Sequence, residues 1–417
     1  MTRFINLFAV AVLIGGVPQV ASTQEAVHDL AGLRAAARSQ HPSITSAEAA
    51  IEAAESFRTQ QRLLLDPVIR FEAGHAESGG LSATEWQGEV VQRVPLPGHR
   101  RWRTRLADAR LETARHGRHS LEAMIDYEVG RLWADALLAA RSADVAVQGE
   151  AIAYRLLTLI ERRAEVGEAS RLEVLKARTE WFTRRQLSLE ANRDLSTGKK
   201  TLDIFCNGSL GPEFELEGEL DSPVALLPSE QLLAQALEAN PRAQSRRATI
   251  DEAEALSQVE RHAALPGLAL SISWESEIDK DATSVGILFA LPLWNRNRAA
   301  VAIAEAEVRN EQARLLATLR ELETELETAV AAYRAAAETL ALYEEGWRST
   351  ARDAAGIATF SFENGESSLL ELLDTQRSLL DVGLGEAQAR ARLTQARLRI
   401  EYLTGQPLKK EPTNEAR

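Results

Sequence analysis

Glu165-Val166-Gly167-Glu168-Ala169-Ser170-Arg171-Leu172-Glu173 returns 198 residues later as Glu363-Asn364-Gly365-Glu366-Ser367-Ser368-Leu369-Leu370-Glu371. In each copy a glycine suits the left-handed end of one helix, and Ser-x-x-Glu is a capping box that starts the next. The chain therefore turns back on itself twice, in the same way. Outward from these turns the register holds. Leu33–Pro42 (LRAAARSQHP) returns as Leu232–Pro241 (LLAQALEANP), and Val94-Pro95-Leu96-Pro97-Gly98 as Leu291-Pro292-Leu293-Trp294-Asn295. The offsets are 199 and 197. A repeat of this length is a duplicated half, not a solenoid of short units.

What precedes each turn is long. No proline falls between Arg100 and Ala164, and a helix of that span is ~98 Å at the α-helical rise. The matching helix is expected from Arg298 to Phe362. Its inward positions are Leu315, Leu319, Leu322, Leu326, Val330, Tyr333, Ala337 and Leu340. That spacing is about 3.6 residues per turn, between a heptad coil and an untwisted helix. The returning helices, Ser170–Cys206 and Ser368–Leu403, span ~55 Å each, and helices at Ser43–Leu64 and Arg242–Ala264 add ~33 Å. Each return path is thus read as two stacked helices. The Pro/Gly/acid-rich segment 207–229 links the halves and bulges at mid-height.

After each shorter helix the period changes from 3.6 to 2. Strands are expected at about 67–76, 85–95, 267–275 and 284–292. Ile69, Phe71 and Ala73 share one face, as do Trp86, Gly88, Val90 and Val94. So do Leu268, Leu270, Ile272 and Trp274, and then Val285, Ile287, Phe289 and Leu291. Strand length and alternation match transmembrane β-strands, with tryptophans near both ends as in an aromatic girdle. Four strands cannot close a barrel, and an open edge in lipid strands its backbone groups. A trimer would supply twelve. The alternative is a pair of hairpins on a soluble helical body.

Composition agrees with long helices: 45% hydrophobic, 26% charged, but only 5% aromatic in 417 residues. Residues 1–22 read as a secretory signal peptide, with Arg3, an apolar run over 5–17 and small residues at 20–22. Residues 23–206 form the first repeat, 230–408 the second, and 409–417 a polar tail. The single cysteine, Cys206, has no intramolecular partner for a disulfide. A net charge of −13 disfavours nucleic acid.

In order and kind these motifs resemble the TolC-type outer-membrane efflux proteins, over the whole mature chain. Two segments, Val94–Arg101 and Leu291–Arg298, look closer to the CzcC-like heavy-metal branch, with His99 where that branch usually has lysine. The resemblance implies a mainly α fold with transmembrane β: a homotrimer forming a twelve-stranded barrel in the outer membrane, continued by a periplasmic α-helical barrel. It implies partners as well, a periplasmic adaptor contacting the tips around Gly167, Ser170, Gly365 and Ser368, and a proton-driven inner-membrane RND transporter. The expected function is passive export of divalent heavy-metal cations. The same fold serving organic efflux or protein secretion is the alternative, and a poreless periplasmic scaffold a further one. By the same resemblance, an acidic ring gates the tunnel. The matching positions are Glu371 and Asp374, with Glu173 and Lys176 as first-half counterparts. For Glu371 the plain structural role is the capping box of Ser368.

No catalytic set emerges. A nucleotide-binding Gly-x-x-x-x-Gly-Lys-Ser/Thr loop is missing from the sequence. No Cys/His cluster has metal-site spacing, and no cofactor is implied. His116 and His119 lie one turn apart without a third ligand. Glu321, Glu323, Glu325 and Glu327 crowd one stretch, but residues two apart on a helix do not face each other.

Overall fold

A computed structural model describes residues 26–408, apart from 79, 96, 212, 278, 279 and 292. The expected signal peptide and C-terminal tail lie outside the described residues. In chain order the elements are β1 (Ala26–His28), α1 (Leu30–Gln40), α2 (Pro42–Arg62), β2 (Val68–Ser78), β3 (Leu81–Val94), α3 (Pro97–Glu165), α4 (Arg171–Phe205) and β4 (Phe214–Leu216). Then follow α5 (Ser229–Ala239), α6 (Pro241–Ala263), β5 (Gly267–Ser276), β6 (Asp281–Ala290) and α7 (Arg298–Leu342). A π-helical turn (Tyr343–Trp347), α8 (Arg348–Glu363) and α9 (Leu369–Thr404) complete the chain.

The repeated His-Pro and Asn-Pro dipeptides explain where the short helices break. A residue before proline is pushed out of the helical region, and His41 and Asn240 are both extended, at ψ 124° and 126°. Proline then opens the next helix. The His41 imidazole accepts from the Ser43 N–H at 3.2 Å, and Asn240 Oδ1 from the Arg242 N–H at 2.9 Å. One turn upstream, Leu33 with Ala37 and Leu232 with Ala236 are all fully buried. Equivalent sequence thus seats equivalent side chains in two separate cores. One joins α1 to α3 and the end of α4; the other joins α5 to α7 and α9.

α3 is one helix of 69 residues, ~104 Å long, and packs along α2, α4, α6 and α9. Its second-half counterpart is not continuous, against expectation. α7 ends at Leu342, and the π-helical turn carries Gly346 at φ 131° before α8 begins. An extra residue in the turn breaks the ladder, and only glycine takes that backbone without strain. Tyr343 and Trp347 stack over the break, ring centroids 4.7 Å apart. Of the inward positions expected on α7, Leu322, Leu326, Val330, Tyr333 and Leu340 are buried, while Leu315, Leu319 and Ala337 are partly so.

The linker 207–229 carries an element that no sequence pattern announced. β4 pairs in parallel with β1, Ala26 opposite Phe214. Side chains strap the rest to the helices. The Tyr333 hydroxyl donates to the Val224 carbonyl at 2.9 Å and accepts from its N–H at 2.6 Å. Arg397 meets Asp221 at 2.8 Å.

β2, β3, β5 and β6 form one antiparallel sheet in that order, leaving β2 and β6 as its edges. Ile69 faces Val90, Val90 faces Ile272, and Ile272 faces Val285, one apolar row across all four strands. This face is uncovered: Ile69 is 72% exposed and Val285 78%. The other face is polar, with Arg70 donating to Glu89 at 2.8 Å. On the apolar side the Trp274 indole packs closely against Gly88. A methyl group there would sit 2.6 Å from the indole.

Candidate functional site: the helical tips

The two hairpin turns share the same glycine and capping-box geometry. Gly167 and Gly365 take left-handed backbones at φ 84° and 78°. The Glu168 N–H closes back on Arg163 O at 2.8 Å, and the Glu366 N–H on Ser361 O at 2.8 Å. These bonds take up end carbonyls that the finished helix leaves unpaired. Ser170 and Ser368 then cap α4 and α9. The Ser170 N–H donates to Glu173 Oε2 at 2.7 Å, and the Ser368 N–H to Glu371 Oε2 at 3.0 Å. The returning bonds to the serine hydroxyls are 3.2 and 3.3 Å. Hydrogen bonds from Ser170, backbone first, hold the Glu173 carboxyl below the usual carboxylate range.

Apolar packing, an arginine bridge and a buried ion pair join the two hairpins near their tips, none of them indicated by the repeat. Leu156, Leu157, Ile160 and Ala177 of the first pack against Phe362, Leu369, Leu372 and Leu373 of the second. Arg163 crosses from α3 to the end of α8, donating to Glu363 O at 2.9 Å with its guanidinium 5.1 Å over the Phe362 ring. Glu180 on α4 is only 6% exposed and receives two arginines, Arg184 at 2.8 Å and Arg377 of α9 in a close ion pair. Burial alone would raise the Glu180 carboxyl, but the bonds from Arg377 and Arg184 outweigh it and hold it low.

Glu371 and Asp374 both lie exposed at the start of α9. Glu371 is engaged by its capping box. The Arg377 guanidinium is held charged first by its bond to Glu180, with Asp374 adding to the effect. The acidic pair therefore sits one turn from the contact that fastens the second hairpin to the first. Sequence reading missed Glu180 and Arg377, because a lone Glu and a lone Arg 197 residues apart carry no local pattern.

A family model described as outer membrane efflux protein matches residues 33–205 and 232–406. The chain belongs to the outer membrane efflux protein family. The match comes in two segments, one in each half of the chain, so each half carries the family pattern by itself. The family consists of pore proteins, not enzymes. Over 274 residues the chain is 29% identical to the cobalt-zinc-cadmium resistance protein CzcC of Cupriavidus metallidurans. That match covers 64% of this chain and 63% of the relative, less than two thirds of its length. The fold is that of solved TolC-type channels. VceC of Vibrio cholerae superposes with a TM-score of 0.75 at 18% identity, over 91% of this chain and 97% of that one. CmeC of Campylobacter jejuni gives 0.75 at 15%, over 97% and 94%, and CusC gives 0.75 at 15%, over 90% and 92%.

The other sequence candidates are dispersed. Among the described residues, no three His, Cys, Asp or Glu side chains gather as a metal site. His119 is exposed and 3.9 Å from Glu122, within its own helix. The crowded glutamates of α7 split as helical geometry requires. Glu321 and Glu325 pair with Arg242 of α6, Glu325 also with Arg399 at 2.7 Å, and Glu323 with Arg320 at 2.9 Å. Cys206 is buried, its thiol pushed up to about 11 by desolvation, then by Asp203, so it is a packing residue.

Proposed function

We propose that this protein is the outer-membrane channel of a tripartite efflux system, a passive trimeric conduit carrying divalent heavy-metal cations out of the periplasm. The sheet carries this reading. Its apolar face is exposed and both edges are free, a surface that water penalises and that lipid accepts only when the edges are paired. Three copies set edge to edge give twelve strands and no edge. The helices, ~100 Å long, then continue the barrel as a tunnel. No helix among the described residues is long and apolar enough to cross a membrane.

Energy comes from a partner, a proton-driven RND transporter joined through a periplasmic adaptor that contacts the tips at Gly167, Ser170, Gly365 and Ser368. Glu371 and Asp374 form the gate. Repeated three times around a narrow mouth, these carboxylates draw cations and repel anions. Metal cargo is supported by the likeness to a protein named for cobalt, zinc and cadmium resistance.

The test is growth of a strain lacking this protein, and of one with it restored, on zinc, cobalt, cadmium, nickel and copper beside dyes and detergents. Sensitivity confined to the metals, rescued by the intact chain, is expected. Sensitivity to dyes and detergents alone would overturn the metal cargo and leave the channel.

A further inference from the structure

The helical end of the sheet carries a charge pattern that the channel reading does not use. Arg93–Arg105 contains five arginines and no acidic residue, in a chain whose net charge is −13. The matching segment Leu291–Arg298 adds Arg296 and Arg298, again without an acid. Beside these cations the surface is apolar. Leu63, Leu64, Leu291 and Leu293 are exposed, and Trp294 is 92% exposed.

A groove of about 600 Å³ lies where the two kinds of surface meet, lined by Leu64, Val94, Pro95, Arg100, Arg101 and Thr104. Val94 is the last residue of the apolar face on β3; it stands opposite Leu268, which stands opposite Phe289. The groove therefore continues the uncovered apolar face and ends on two guanidinium groups. Among the described residues neither forms an ion pair with a carboxylate. Arg58 and Arg62 nearby both reach Asp108, whereas Arg100 donates only to the Arg62 carbonyl at 3.4 Å and Arg101 lies 5.8 Å from the Trp102 ring.

We propose that Arg100 and Arg101 bind the phosphate of an anionic phospholipid whose acyl chain lies along Leu64, Val94 and Pro95. This rests on the reading that the sheet spans a membrane. Guanidinium forks match phosphate oxygens in pairs, and long cationic side chains at a bilayer boundary keep their heads at the headgroup level. A free phosphate would use the arginines and leave the apolar wall idle. A phospholipid engages both ends of the groove.

The full-length protein is reconstituted into phosphatidylcholine vesicles with and without phosphatidylglycerol, re-extracted in mild detergent, and its retained lipid is weighed by native mass spectrometry. The wild type is expected to retain phosphatidylglycerol roughly thirtyfold over phosphatidylcholine, given two cations at the membrane surface. Arg100→Gln/Arg101→Gln should lose that preference while still inserting, and Arg100→Lys/Arg101→Lys, which keeps charge but not the fork, should keep part of it. Insertion of the wild type into both vesicles with no lipid preference overturns the proposal and spares the membrane reading. So does the same preference in the double glutamine variant, or displacement of the lipid by millimolar inorganic phosphate. Failure of the wild type to insert in either vesicle overturns the membrane reading itself.

Discussion

Glu180 shows how much one buried charge can hold. It sits between Arg184 on its own helix and Arg377 on α9, so the return helices of both halves share one carboxylate. Removing Arg377 leaves Glu180 with a single partner. Arg377→Ala should cost about 1–3 kcal/mol, since Arg377 is half exposed and the full penalty of an orphaned buried charge does not apply. Thermal unfolding in detergent checks it. The pH dependence has a definite sign. The folded carboxyl titrates below its ordinary value, so its stabilisation is complete above the unfolded pKa and is lost as pH falls through the folded one. In Glu180→Gln that acid-dependent loss should disappear, leaving a flatter melting-temperature profile below about pH 4.5. Gly88 is the opposite kind of residue, needed for what it lacks. Gly88→Ala drives a methyl group into Trp274 and should lower the yield of folded, membrane-inserted protein, whereas Gly74→Ala on β2, which meets open space, should not. Equal yields from the two variants would refute the close-packing account.

Among the elements, the caps separate two roles that Glu371 would otherwise confound. Gln at the third helical position keeps a capping box while losing the charge. Glu371→Gln should leave stability within about 0.5 kcal/mol of wild type, and Ser368→Ala should cost about 1 kcal/mol. If the acid also gates, single-channel recording should show Glu371→Gln less cation-selective and Ser368→Ala unchanged. The π-helical turn interrupts the second half with a kink where the first half is one continuous helix. Gly346→Ala places a Cβ at φ 131° and should lower stability by about 1–3 kcal/mol, a loss readable in the same melting experiment. α3 has no such break and runs as one helix to its turn.

The molecule as a whole turns on its uncovered surfaces. Burying apolar area is the main favourable term in folding and association, yet the sheet shows a row from Ile69 to Val285 to the outside. On the proposed reading, lipid and further copies of the chain cover this face and pair its edges. Cross-linking in detergent should trap trimers, and charge reversal on the polar strand face, such as Glu89→Arg, should alter conductance more than assembly. Asp374→Asn should weaken cation selectivity most at low ionic strength, because screening hides fixed charges as salt rises.

Local pattern determined a great deal here. The duplicated turns, the proline-marked helix joints, the four strands and their apolar face are all statements about residues a few positions apart. Backbone sterics, hydrogen-bond capping and the 2.0 and 3.6 periods act over that range. Tertiary structure alone decided the rest. The β1–β4 pair, the Glu180–Arg377 contact, Arg163 reaching across to α8, and the Tyr333 anchor for the linker each join residues more than 100 positions apart. No sequence period relates such partners; only the packing of one half against the other brings them together. The break at Gly346 is local, yet it too was not legible in the sequence. The sequence around it reads as one helix, and the bend becomes visible once Tyr343 and Trp347 stack across it.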